Sequence, residues 1–205
     1  MLEELKRNSN WEEYINHKFL QMMAENSLSR SVFRYYLIQD AKYVEEMLRA
    51  LFRASALAPL EDAINILTQI LLTRDKGLET NQYLYKSLGI TKEEVMKSKM
   101  NDVNYAYTRH LNYWAERSWE KFLIAWTPCM VGYYEASKRI EGKVKDELYK
   151  AWVSFYASNE YKKRVDAIVS SLEKVNVDFD EALEIFNRSV NYEIAFWDEA
   201  LKQGI

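Results

Sequence analysis

Apolar residues recur along this chain at intervals of three and four, the spacing that lays side chains on one face of a helix. In the first segment Leu2, Leu5, Trp11, Tyr14, Ile15 and Phe19 follow it. Asn26-Ser27-Leu28-Ser29 interrupts the pattern, and Ser29 is a candidate N-cap for the next helix. The spacing predicts this second helix over 30–54, with Phe33, Leu37, Asp40 and Val44 near one face and Tyr36, Gln39 and Tyr43 beside it. Pro59 opens a third over 60–88, closed by Gly89, and Thr91 caps a short turn beyond it. A fourth, over 102–127, carries Tyr105, Tyr107, His110, Leu111, Trp114, Trp119, Phe122 and Leu123. A fifth starts at Pro128 and ends near Gly142, a sixth covers 143–157 and a seventh 159–175. Asp178 caps the last, which reaches Gln203 through Phe186, Val190, Glu193, Phe196 and Trp197. No strand alternation, internal repeat or flexible linker interrupts the series. The expectation is an all-α fold, a single-domain helical bundle over residues 1–205.

Composition sharpens this picture. Five glycines and two prolines in 205 residues leave little turn punctuation, as long helices require. The net charge is −3 without a basic stripe, so nucleic acid is not an expected partner. No apolar run is long enough to cross a bilayer, and Met1 to Arg7 lacks an apolar signal core, so no membrane partner is expected. A single cysteine permits no internal disulfide and suits a reducing, cytoplasmic setting. Tyrosine is abundant: 15 residues, beside 6 Trp and 8 Phe. Aromatic groups with polar tips either fill helix interfaces or line a pocket for a flat ligand.

Candidate chemistry concentrates in Ala125-Trp126-Thr127-Pro128-Cys129-Met130-Val131-Gly132-Tyr133-Tyr134-Glu135. Pro128 fits the first turn of a helix, where a missing N–H is not needed. Cys129 would then sit at the positive end of the helix dipole, which favours the thiolate and lowers the thiol pKa. Tyr133, four residues on, shares its face. Such a cysteine is either a covalent catalyst or a small buried hydrophobe. Asp40, set among aromatic and aliphatic positions, is either paired in the core or directed into a ligand site that Tyr43 can share. His17 and His110 are isolated, and neither has a glutamate three residues before it, so no metal is expected.

Five segments in order carry a family resemblance across nearly the whole chain. They are Phe33-Arg34-Tyr35-Tyr36-Leu37-Ile38-Gln39-Asp40-Ala41-Lys42-Tyr43, then Tyr107-Thr108, then Pro128-Cys129 with Tyr133, then Tyr149-Lys150-Ala151-Trp152-Val153-Ser154-Phe155-Tyr156, then Glu193-Ile194-Ala195-Phe196-Trp197-Asp198. Together they resemble the TenA/thiaminase II family, in its cysteine-containing branch, within the haem-oxygenase-like all-helical superfamily. The resemblance implies hydrolysis at the methylene carbon of a 4-amino-5-substituted pyrimidine, aminopyrimidine or thiamin, to hydroxymethylpyrimidine in thiamin salvage. It implies no cofactor and a homotetramer. Carried over by position, Cys129 matches the nucleophile, Glu193 the proton donor and Asp40 the acid that holds the pyrimidine. Tyr133 and Tyr156 match substrate-contacting tyrosines, Tyr43 the aromatic that supports the cysteine, and Tyr107 and Phe196 the pocket wall.

Departures from the family pattern are Lys18 after the early histidine, Glu25-Asn26-Ser27 before the second helix, and Met130-Val131-Gly132 after the cysteine. Gly132 either loosens its helix or leaves room for substrate. Two other classes of function compete. One is a haem-binding or oxidase member of the superfamily, which would ligate through His17 or His110. The other is a non-catalytic pyrimidine-binding or regulatory protein.

Overall fold

The computed structural model describes residues 1–203. Its regular structure among those residues is helical throughout, in the order α1 (Leu2–Arg7), α2 (Trp11–Ile15), α3 (Lys18–Ala24), α4 (Arg30–Ser55), α5 (Leu60–Leu72), α6 (Arg74–Leu88), α7 (Lys92–Lys97), α8 (Asp102–Ala115), α9 (Trp119–Ile140), α10 (Glu147–Tyr156), α11 (Asn159–Leu172) and α12 (Phe179–Lys202). The all-α expectation holds. The caps anticipated from sequence are present: Ser29 Oγ accepts from Val32 N, Thr91 Oγ1 from Glu94 N, and Asp178 Oδ1 from Asp180 N and Glu181 N. Gly89 ends α6 at φ 64°, a left-handed conformation that favours glycine.

Three boundaries depart from the periodicity. The N-terminal stretch is three short helices rather than one run. Asn8 and Asn16 end the first two by donating their side-chain amides to the carbonyls of Glu4 and Glu12. The predicted third helix is two, broken at Thr73, whose hydroxyl donates to the Gln69 carbonyl and accepts from Arg164. Most consequentially, the predicted fourth helix ends at Ala115, and Ser118 caps a new one by accepting from Lys121 N. That new helix, α9, runs through Pro128. The proline therefore lies inside a helix, not at its start.

The core is organised on α9. Every residue from Phe122 to Tyr133 is buried, so the helix is covered on all sides. α12, α11, α8 and α10 pack around it. Pro128 has no N–H to offer the Ile124 carbonyl one turn back. The Tyr14 hydroxyl donates to the Pro128 carbonyl at 3.3 Å. Gly132 is required by the same tyrosine, because a Cβ at this position would overlap the Tyr14 ring. The space anticipated for substrate at Gly132 is thus filled by protein.

Candidate active site

Six helices enclose a cavity of about 420 Å³ beside the middle of α9. α4 contributes Asp40, Tyr43 and Met47, and α9 contributes Cys129, Met130 and Tyr133. Tyr156 comes from the end of α10, and Tyr161 and Arg164 from α11. The α5–α6 pair closes the remaining side with Leu67, Ile70 and Leu78. The helical periodicity explains the convergence: Cys129 and Tyr133 are one turn apart on α9, as are Asp40 and Tyr43 on α4. Tyr133 sits at a ring-centroid distance of 4.9 Å from Tyr156, which in turn lies 5.0 Å from Tyr161. The wall is therefore mostly aromatic faces, suited to a flat heteroaromatic ring, with a few polar groups to orient it.

At its deep end the cavity holds a thiol against a carboxyl. Cys129 is buried, near the Tyr43 hydroxyl and the Glu193 carboxyl of α12. The Tyr43 hydroxyl makes no aligned hydrogen bond there, so its contact with sulfur is loose. Glu193 is 2% exposed and accepts from the Tyr107 hydroxyl at 2.8 Å. Burial pushes the Glu193 carboxyl up to about 8, against the opposing pull of Tyr107. Burial also pushes the Cys129 thiol up, and the neighbouring Glu193 adds to the rise. This overturns the dipole argument made from the sequence. Cys129 lies mid-helix in a dry environment, with an acid nearby rather than a helix N-terminus, so its thiol is protonated at neutral pH.

Asp40 faces the cavity with its carboxyl pushed up to about 7 by burial, while Tyr36 beside it pulls the other way. The Tyr36 hydroxyl donates to that of Tyr133 at 3.3 Å, linking the Asp40 end to the α9 wall. A carboxyl that titrates near neutrality can accept from an exocyclic amine or a protonated ring nitrogen at little proton cost.

Of the residues anticipated from sequence, Cys129, Asp40, Tyr43, Tyr133 and Tyr156 line the cavity. Glu193 and Tyr107 stand directly behind the thiol, with Tyr107 at 4.9 Å from the Tyr43 ring. Phe196 is one layer back, with its edge on Tyr36 and Tyr43 at 6.0 Å each. Tyr161 and Arg164 were not anticipated. They sit three apart on a helix otherwise rich in exposed charge, where a lone Tyr–Arg pair on the inward face was the available signal. Neither histidine lines the cavity. His17 caps α3 by accepting from Phe19 N, and its other nitrogen meets Asp198 at 3.3 Å. His110 packs on Tyr192, and burial brings it down to about 4.

An all-helical bundle with a buried thiol–carboxyl pair under an aromatic cavity is the class of protein these features define. The chain belongs to the TENA/THI-4/PQQC family, whose sequence profile matches residues 6–203. It is 28% identical to an aminopyrimidine aminohydrolase of Halalkalibacterium halodurans, over 94% of this chain and 91% of that one. It is also 28% identical to the hydroxymethylpyrimidine/phosphomethylpyrimidine kinase THI20 of Saccharomyces cerevisiae, but spans only 37% of that protein's length. A crystal structure of a TenA-like protein from Sulfolobus solfataricus P2 superposes with a TM-score of 0.93 at 47% identity, over 98% of this chain and 95% of that one. A TenA homologue from P. horikoshii OT3 gives 0.88 at 27% identity, covering 99% of both chains.

Proposed function

We propose that this chain is an aminopyrimidine aminohydrolase of the thiaminase II type. It would hydrolyse 4-amino-5-aminomethyl-2-methylpyrimidine, and thiamin as an alternative substrate, to the 5-hydroxymethyl product. The observation that carries the reading is the nearness of a buried thiol, Cys129, in the wall of an aromatic cavity to a buried carboxyl, Glu193, behind it.

Asp40 binds the aminopyrimidine through its amine or ring nitrogen, and Tyr133 and Tyr156 pack on the ring. Cys129 attacks the methylene carbon. Because its thiol is protonated at rest, attack requires a base, and the ionised fraction of Glu193 stands next to it. Glu193 takes the thiol proton and passes it to the departing nitrogen, so the S–C bond forms as the C–N bond breaks and the amine leaves neutral. Water then attacks the same carbon. Glu193 carries a proton from that water back to sulfur, and the alcohol and free thiol are restored. A carboxyl titrating at about 8 suits both roles near neutral pH. Tyr43 supports the sulfur, Tyr107 tunes Glu193, and Phe196 holds Tyr36 and Tyr43 in place.

Incubating purified protein with aminopyrimidine and thiamin side by side, and following hydroxymethylpyrimidine by chromatography, tests this reading. Release of the alcohol from at least one substrate supports it. Binding without turnover favours the non-catalytic alternative.

The proposed assembly is a homotetramer. Leu60, Ile64, Leu71 and Leu72 on α5 are 74%, 56%, 58% and 75% exposed, a clustered apolar surface that association would cover. Light scattering should return four chain masses; a monomer mass would end the proposal.

A further inference from the structure

The cavity carries two cations that hydrolysis of a bare aminopyrimidine does not use. Arg164 is partly buried, and its guanidinium lies over the rings of Tyr161 and Phe155, at 5.5 and 5.6 Å from their centroids. Its Nε donates to the Thr73 hydroxyl. Arg74, the first residue of α6 and exposed, lines the same cavity from the solvent side. Neither guanidinium is paired with a carboxylate among the described residues. Burial brings the Arg164 guanidinium down, the mark of a cation that has lost water without gaining an anion. Ring faces and one hydroxyl compensate only in part.

Their position within the cavity matters. Arg164 packs on Phe155 and Tyr161 and Arg74 begins α6, whereas Asp40 is buried on α4. The cations come from the α6 and α11 side of the cavity, and the acid that orients the pyrimidine comes from α4. A volume of about 420 Å³ belongs to the range that accommodates drug-sized ligands, larger than a single substituted pyrimidine ring. The unused room and the unpaired charge coincide.

We propose that the preferred substrates carry an anionic group, a phosphate or a carboxylate, on the portion that leaves from the pyrimidine methylene, and that Arg164 and Arg74 bind it. This rests on the hydrolase reading. Planar guanidinium forks match either anion in two-point hydrogen bonds. The reaction is otherwise unchanged: water supplies a hydroxyl to the methylene carbon, its remaining proton goes to the nitrogen of an amine leaving group or, when a thiazole leaves, to solvent, and the departing group keeps its anion.

The test uses two matched pairs of substrates with the full chain. One pair is thiamin and thiamin monophosphate. The other is aminopyrimidine bearing an N-ethyl or an N-carboxymethyl group. The expected result is a kcat/KM ratio, anionic over neutral, of about tenfold or more in at least one pair. The pair that shows it identifies phosphate or carboxylate. Arg164→Gln and Arg74→Gln should each bring that ratio toward one, a readout taken within each variant and so insensitive to partial loss of folded protein. Ratios of one or below in both pairs, or a ratio retained in both variants, would overturn the proposal. If none of the four compounds yields the alcohol, the hydrolase reading fails separately. Calorimetric dissociation constants for the same pairs and variants then judge the anion site by the same ratio.

Discussion

The Tyr107 hydroxyl donates to Oε1 of Glu193 at 2.8 Å, inside a part of the protein where Glu193 has almost no contact with water. A hydrogen bond to a carboxylate stabilises its charged form, so this contact holds down a carboxyl that burial alone would push higher. Tyr107→Phe removes only the donor. It should raise the pH at which Glu193 becomes an effective base by about 1–2 units, the equivalent of one hydrogen bond to a charged group. A pH–rate profile of kcat/KM on aminopyrimidine checks this. An unmoved ascending limb would detach Tyr107 from the titration of Glu193.

Glu193→Gln separates the two roles given to the carboxyl. Amine substrates need both removal of the thiol proton and delivery of a proton to nitrogen. Thiamin needs only the first, because its thiazole leaves neutral. The loss on amine substrates should fall in the range of about 10²–10⁴-fold expected for proton-transfer catalysis, with a smaller loss on thiamin. Equal losses on both would remove the proton-donor role.

Asp40 and Glu193 also make stability depend on pH in a definite direction. Both folded-state carboxyls titrate above the ordinary carboxylate range, at about 7 and about 8. Between the unfolded and folded values the native state binds more protons, so stability falls as pH rises, by up to about 1.4 kcal/mol per pH unit for each acid. His110, brought down to about 4, acts in the opposite sense below its unfolded value, as does His17. The acids are therefore best read from pH 6.5 to 8.5. There the melting temperature should decline in the wild type chiefly through Glu193, so the decline should flatten in Glu193→Gln and lessen only in part in Asp40→Asn. The same variant should lose about 1.5–3 kcal/mol of pyrimidine affinity if the charge holds the ligand. Unchanged affinity would make Asp40 a structural acid.

Gly132→Ala addresses the packing that positions α9. The added methyl gains about 1 kcal/mol of helix propensity but collides with the Tyr14 ring, and overpacking in a filled core costs about 1–3 kcal/mol. A net loss of stability in urea unfolding is expected. A more stable variant would mean that Tyr14 yields easily.

Much of this architecture was legible in the chain because helix periodicity and caps are local. Ser29, Thr91 and Asp178 begin their helices as their side chains require, and Asp40 with Tyr43 shares a cavity as their spacing allows. The error at Pro128 has a physical source. Proline at a helix start and proline inside a fully buried helix look alike locally, and only packing against α12, α11 and Tyr14 selects the second. The stop signal lay earlier, at Ser118 followed by the acidic Glu120 of a first turn. The thiol's environment followed from that error: burial, a tertiary property, replaced the dipole, a local one. Arg164 escaped notice for a related reason, since its cavity forms only when α5, α6 and α11 meet.

Cys129 should accordingly be a sluggish thiol in the free protein. Alkylation by iodoacetamide should be slow at pH 7 and accelerate only at alkaline pH. Rapid labelling at neutral pH would mean that the thiolate is present at rest and that Glu193 is not needed to generate it.

The most direct measurement of the central claim is the rate of hydroxymethylpyrimidine formation from aminopyrimidine by wild type and by Cys129→Ser, each shown to bind the pyrimidine. A hydroxyl is a far poorer nucleophile than a thiol activated by an adjacent carboxylate. The account predicts steady release of the alcohol by the wild type and near-complete loss of turnover in the serine variant at comparable affinity. Alcohol formation by Cys129→Ser at the wild-type rate would contradict it.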